Sequence, residues 1–381
     1  MLSTPSKELN LKAIQAQLEK KGLSASDVAT KLDVSRQIVS QWLLNKKLPR
    51  PSKLLGLARL LELSFQKILI RAESPDEPVI AFRKKRGHKI ETPYIDEAKE
   101  KGRLLELLAP YLPFDNMSSP PALINPSLEY GYVQKIAEET RKHIADSETG
   151  KIKFESLISF FAAYHATLIP VFWGHKERHE NALHIYLPKE MTTWIYLNLD
   201  SRIHDFKFWM AHELGHVKAP LLKNDDGEDF ADAFAGALLF GSQNAESEYE
   251  NLRNLGSKAK QINSLKQTAN ELVVSPLTIY YEINKYAAET KQPRIDLDSD
   301  QAIYKTCTNL NKQFHTVAES LFDNKKPSAK AYIDCCKELF GSCFFDALNK
   351  HLLETEKTAS FIQTLLNISM ADAQELYDEI T

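Results

Sequence analysis

Residues 212–216, His-Glu-Leu-Gly-His, constrain this chain of 381 residues more tightly than any other stretch. Two histidines four apart lie one turn apart on the same helix face, so both imidazoles can reach one Zn²⁺ at about 2.0–2.1 Å. Glu213 follows the first histidine and projects beside the metal, where a carboxylate can take a proton from water without filling a ligand position. The spacing therefore predicts a helix over about 205–217. Phe208, Trp209, Ala211 and Leu214 give that helix an apolar side, and Gly215 lets another backbone or a ligand come close. A tetrahedral ion with an open position needs a third protein ligand. Downstream, Ala231, Phe234, Ala235 and Leu238 form an i, i+3, i+4, i+7 stripe on a second helix, and Glu228 begins it. Glu228 is thus the expected third ligand, with Asp229 as the alternative. Asp232, one turn on from Glu228, can hydrogen-bond a ligating histidine from behind.

Upstream, residues 167–173, 182–187 and 193–199 are short runs rich in β-branched and aromatic side chains, parted by turn residues, and predict a sheet of three strands. The runs TTWIYLN, DFKFWMAHELGHVKAP and EDFADAFAGALLF together are similar to the ImmA/IrrE family of zinc metallo-endopeptidases, over about residues 130–290. The resemblance implies a zincin-like fold, with His212, His216 and Glu228 as ligands and Glu213 as general base. It also implies cleavage of a helix-turn-helix repressor, in stress responses and on mobile elements. The chain departs from the family pattern at Asp232, where Asn is usual, and at Phe230, where a second acidic residue is usual. Both positions bear on the electrostatics of the metal.

The other end of the chain has different chemistry. Residues 1–72 carry 13 Lys/Arg against 5 Asp/Glu, a balance of +8, which leaves −3−8=−11 for the remainder. A basic head on an acidic body suggests that the head alone meets a polyanion. Short helical periods recur between Leu9 and Leu69: a helix over 11–21 stopped by Gly22, one over 27–32 capped by Ser26, and one over 36–44 capped by Ser35. Asp33 falls where the intervening turn needs a left-handed residue. Val28, Ala29, Leu32, Ile38, Val39 and Trp42 are expected in the core. Arg36, Gln37, Ser40 and Gln41 remain on the outer face as base-reading candidates, with Lys46, Lys47, Arg50 and Lys53 suited to phosphates. This stretch resembles the XRE family of helix-turn-helix domains along its length, which implies a recognition helix in the major groove of double-stranded DNA.

Eight prolines between Pro75 and Pro126 break the pattern, apart from one helix near 95–108, and a basic run occupies 82–89. The predicted organisation is a helix-turn-helix domain over 1–72, a linker over 73–126, a metallopeptidase domain over 127–290 and a helical region over 291–381. The fold class is mainly α with a small β-sheet (α+β). Residues 269–279 read as another helix-turn-helix pair, with a packing role. The four cysteines fall between Cys307 and Cys343 without a Cys-x-x-Cys spacing and are expected as buried thiols of a reduced, cytoplasmic protein. No run of apolar residues suggests a membrane span.

Two readings of the whole follow. In the first, a DNA-bound zinc endopeptidase regulates transcription by cleaving a repressor or an antitoxin-like partner. In the second, a DNA-binding repressor or antitoxin uses its metallo-domain to sense a signal or grip a toxin without turnover. A homodimer is compatible with both.

Overall fold

A computed structural model of the chain describes residues 7–44, 47, 49–63, 65–71, 77–81, 92–114, 122–146, 150–174, 182–222, 224–323 and 326–381. It divides into two compact units, with the boundary between Glu77 and Pro78. Among the described residues no helix is long and apolar enough to cross a membrane.

In the first unit, β1 (Lys7–Leu9) leads into α1 (Leu11–Lys21), α2 (Ala25–Lys31), α3 (Arg36–Leu43), α4 (Pro51–Leu61) and α5 (Phe65–Ile68). Strand β2 (Leu69–Arg71) then returns to pair antiparallel with β1, Leu9 opposite Leu69. The all-helical head expected from the sequence thus acquires a two-stranded ribbon joining its ends; three-residue strands are too short to show a period. Helix α2 is capped by Ser24, not Ser26. Asp27 lies three residues after Ser24, so its carboxylate accepts from the Ser24 amide at 2.8 Å while the Ser24 hydroxyl accepts from the Asp27 amide, a reciprocal capping box. Asp33 takes the left-handed conformation, φ 50°, in the turn before α3. Val28, Ala29, Val39 and Trp42 are buried together with Ile14, Leu57 and Leu61. Ile38, expected inside, is 37% exposed, because the short α3 turns only Val39 and Trp42 fully inward.

The second unit is built on a four-stranded sheet of order β3-β5-β6-β4. Its elements begin with β3 (Val79–Ala81), α6 (Thr92–Glu106), α7 (Tyr130–Ile144) and α8 (Phe154–Ala162), followed by β4 (Ala166–Val171), β5 (Ala182–Leu187) and β6 (Thr192–Asn198). Next come α9 (Ile203–Lys218), α10 (Asn224–Leu239), α11 (Ser242–Asn254), α12 (Lys258–Leu272), α13 (Pro276–Glu289) and α14 (Ala302–Asn311). The chain ends with α15 (Val317–Leu321), α16 (Ala329–Glu338), α17 (Phe344–Thr355), α18 (Ala359–Leu366) and α19 (Met370–Ile380). Strands β4 and β6 are parallel, whereas β5 is antiparallel to both β6 and β3.

Alternation along the strands separates two cores. Leu168, Ala182, Ile195 and Leu197 face a core shared with α7, α9, α10 and α13. Ile169, Leu183, Ile185, Trp194 and Tyr196 face the other, formed with α6 and α16 to α19. Sheet residues therefore point to a helical layer on each side, and β6 is buried along its whole length.

This arrangement corrects the predicted division. The segment assigned as a linker supplies β3 and α6, with Leu105 and Leu108 fully buried, so its described part belongs to the second unit. Residues beyond 290 pack against the same sheet as the metal motif and form no separate region. The 82–89 basic run lies outside the described residues. The 269–279 pair is the α12–α13 junction, where Leu265, Ala269, Val274 and Ile279 are buried in the first core. All four cysteines are free; Cys307 and Cys336 are buried, and Cys335 and Cys343 are half-buried.

Helices α9 and α10 approach so closely that a Cβ on Gly215 would stand 2.8 Å from the Ala231 Cα. The clash is with backbone and cannot be relieved by a rotamer change. Gly215→Ala should therefore destabilise the second unit by about 1–3 kcal/mol, the usual cost of overpacking. Denaturant unfolding of the full chain followed by tryptophan emission measures this, and an unchanged midpoint would contradict the packing described.

Candidate metal centre and nucleic-acid interface

Helix α9 is buried almost all round, with Phe206, Trp209, Met210, Ala211, Leu214 and Val217 packed into the core and His212, Glu213 and His216 enclosed with them. His212 is 0% exposed, Glu213 2% and His216 3%. Helix α10 lies on α9 through Ala231, Phe234, Ala235 and Leu238, all 0% exposed, and Glu228 sits one turn before that stripe. The close approach at Gly215 brings Glu228 to the histidines.

One ligand atom from each of His212, His216 and Glu228 lies within 4.8 Å of the others. The two Nε2 atoms are 3.1 Å apart. The Glu228 oxygens are 3.5 Å from His212 Nε2 and 3.3 Å from His216 Nε2. Behind His212, its Nδ1 is 2.9 Å from Asp232 Oδ1. That contact fixes the ring and leaves Nε2 aimed at the cluster, the usual relation of an outer carboxylate to a ligating imidazole. Two imidazoles and a carboxylate converging from two helices are a donor set that suits Zn²⁺, with one tetrahedral position left for another group. Asp229, the alternative ligand, is exposed and outside this group.

The electrostatics follow from this crowding. Burial works to push the His212 imidazole down, but the carboxylates of Asp232 and Glu228 outweigh it and hold it up at about 10. Burial likewise works to raise Glu228, yet hydrogen bonds and charge from His212 and His216 hold its carboxyl down at about 2.

Sequence reasoning missed His184. It lies on β5, 1% exposed, with its ring centroid 5.3 Å from that of His216. Neither of its ring nitrogens has a hydrogen-bond partner among the described residues. Burial pushes this imidazole well below its ordinary range, and His216 and His212 add to the effect, so it is neutral. No spacing rule ties a strand residue to a motif on a later helix. The one signal was its alternation with Ala182 and Tyr186 on one face of β5.

In the head, the outer face of α3 presents Arg36, Gln37 and Gln41 exposed, with Ser40 half-buried between them. Ser35 caps this helix through its hydroxyl, which accepts from the Ile38 amide at 3.3 Å. Lys47 and Arg50 are exposed, Arg50 at the N-cap of α4. Lys53 is engaged within the fold. Its ammonium donates to the Leu32 carbonyl at 2.7 Å and the Asp33 carbonyl at 3.3 Å, which ties α4 to the turn between α2 and α3. Lys46 lies outside the described residues.

Comparison with known proteins covers this head. A helix-turn-helix family model matches residues 14–68, and this part of the chain is an XRE-type domain of a DNA-binding transcription regulator that binds double-stranded DNA. No curated protein and no solved structure matches the chain.

Two expectations follow. In the chelated chain, the charge on His212 contributes stability fully below the ordinary value of 6.5 and loses it as pH rises toward about 10. The Glu228 carboxylate contributes fully above 4.5 and loses it as pH falls toward about 2. Both contributions are complete between 4.5 and 6.5, and Asp232→Asn should bring the loss on the alkaline side to lower pH. Melting temperature against pH, compared between the two chains, reads this; coincident profiles would contradict it. For the head, Gln37→Ala should cost about 1–3 kcal/mol at one base position, whereas Lys47→Ala should weaken all sequences alike and lower the salt slope by about one. Binding titrations over a salt series decide, and a salt-independent affinity would overturn the interface.

Proposed function

We propose that the body is a zinc-dependent endopeptidase that acts on a protein of the repressor or antitoxin-like class, so that the transcription regulator carries its own proteolytic control. The observation that carries this reading is the buried convergence of His212 and His216 of α9 with Glu228 of α10, with Glu213 next to His212 on α9. A bound zinc ion would supply an electrophile that polarises a peptide carbonyl and makes water acidic. Glu213 takes the proton from the attacking water and returns it to the leaving nitrogen. Asp232 holds His212 in orientation, and the apolar side chains of the two helices exclude bulk water from the centre. Two copies on a two-fold related operator is the arrangement this DNA-binding class commonly uses.

Glu213→Gln separates holding metal from using it, because it preserves size and hydrogen bonding and removes the base. Zinc content, near one per chain, and DNA affinity should be unchanged, while cleavage of the protein substrate should fall by about 10²–10⁴-fold. His216→Ala should lose most of the zinc. An unchanged partner-protein half-life in cells carrying Glu213→Gln would contradict the endopeptidase and favour a sensing or toxin-gripping body; equal zinc in the wild type and His216→Ala would remove the metal centre.

A further inference from the structure

Strand β5 packs on α9 and sets the His184 ring 5.3 Å, centroid to centroid, from that of His216. Side chains alternate along β5: Ala182 packs into the core that holds α9 and α10, whereas Leu183 and Ile185 pack into the other. His184 shares the face of Ala182 and so lies on the side of the candidate metal centre. The residues opposite it on the two neighbouring strands are both apolar, Ala81 on β3 and Ile195 on β6. Neither offers the imidazole a polar side chain, and its two ring nitrogens have no hydrogen-bond partner among the described residues.

A side chain 1% exposed with its polar atoms unpaired costs stability that an apolar side chain of similar size would not. Ligation to the metal would answer that cost, but the geometry does not provide it. Donor atoms that share one tetrahedral ion at about 2.0–2.1 Å stand about 3.4 Å apart. His212, His216 and Glu228 form a group whose ligand atoms lie within 4.8 Å of one another, and no His184 nitrogen joins it. His184 thus touches a ligand and stands outside the ligand set. Helices α9 and α10 supply all three ligands, so β5 is a third element at the centre and His184 is its polar contribution. An imidazole carries at least one ring N–H whether neutral or charged, so a donor is present there in either state.

We propose that His184 is a catalytic residue, whose ring N–H donates to the carbonyl oxygen of the peptide bond being cut and stabilises that oxygen as negative charge builds on it. The proposal rests on the endopeptidase reading and adds a residue to it. Water adds to the carbonyl carbon, one electron pair of the C=O bond moves onto the oxygen, and Glu213 takes the proton that water releases. The C–N bond then breaks, the pair on oxygen re-forms the carbonyl, and the proton passes from Glu213 to the leaving nitrogen. His184 gives a hydrogen bond throughout and exchanges no proton, and water is the only co-reactant. The unpaired imidazole is in this account a donor kept in place, already out of bulk water, for an oxygen that arrives with the substrate.

The test uses the full-length chain, stripped of metal and given one equivalent of Co²⁺, whose visible absorption reports the ion and what reaches it. Two probes are titrated in. Dimethylphosphinate is tetrahedral and shares one negative charge between two oxygens, like the oxygen-rich carbon midway through peptide hydrolysis. Methanethiol binds a metal through sulfur, a weak hydrogen-bond acceptor. His184→Leu is close to histidine in size and removes both nitrogens. It should leave the cobalt spectrum and the methanethiol affinity unchanged and weaken dimethylphosphinate by about tenfold or more, the worth of one hydrogen bond to a charged group. His184→Asn and His184→Gln carry an amide N–H near the position of one ring nitrogen or the other, and one of the two should recover most of the lost affinity.

Equal dimethylphosphinate affinity in the wild type and His184→Leu would overturn the proposal and make His184 a core side chain stacked on His216. Equal weakening of both probes would also overturn it, because a donor acts on the oxygen probe alone. A changed cobalt spectrum or lost cobalt in His184→Leu would make the residue a ligand instead of a donor. If neither His184→Asn nor His184→Gln binds dimethylphosphinate better than His184→Leu, shape and not the N–H is what matters, and the proposal fails. None of these results touches the endopeptidase reading, which stands or falls on partner-protein half-life in Glu213→Gln. A wild-type chain that takes up no cobalt would remove the metal centre, and with it both.

Discussion

The close contact of α9 with α10 at Gly215 and Ala231 determines what the body of this protein can do. It withdraws two imidazoles and two carboxylates, His212, His216, Glu213 and Glu228, from water into a region where His184 and Asp232 are their polar neighbours and Phe, Leu, Met and Ala side chains fill much of the rest. Removing charged groups from water costs several kcal/mol each, and their mutual attraction offsets that only in favourable geometry. A helix pair selected for stability alone would be better served by apolar side chains at these positions. The converging Nε2 and carboxylate oxygens are instead what a cation needs, and the cation would replace the proton that the metal-free cluster holds on His212.

The sheet gives this helix pair its setting. Strand β6, buried along its length, carries the weight of both cores, and α9 follows it after a short turn. Strand β5 lies beside β6 and contributes His184 to the wall of the centre. The helices that end the chain press on the opposite face through Phe344, Leu348 and Ile362, which keeps Trp194 and Tyr196 from water and holds the sheet against α9. Residues far from the metal motif in sequence thus fix its surroundings. In the head, a different device serves a comparable end: Lys53 fastens α4 to the turn that sets the direction of α3, and the outer face of α3 is left open.

Much of this was legible in the sequence, for reasons that differ by element. Helices α9 and α10 could be read because their apolar side chains recur at the period that helix packing demands. Strands β4 to β6 could be read because each is a run of about six apolar or β-branched residues. Strand β3 could not, since three residues among prolines and charges show no alternation. His184 escaped because its partner is met only when the sheet folds onto α9. The terminal helices were visible as helices, but which face of the sheet they cover depends on contacts that no local pattern encodes. Ser24 was the avoidable error, because the Ser-x-x-Asp spacing of a capping box was present.

The central claim is that His212, His216 and Glu228 form a zinc site in the folded chain. X-ray absorption at the zinc edge of the purified full-length protein tests it most directly. The account predicts a coordination shell of nitrogen and oxygen at about 2.0–2.1 Å with the multiple-scattering signature of two imidazoles. Zinc held by sulfur at about 2.3 Å, or a folded chain that holds no zinc after exposure to it, would contradict the account.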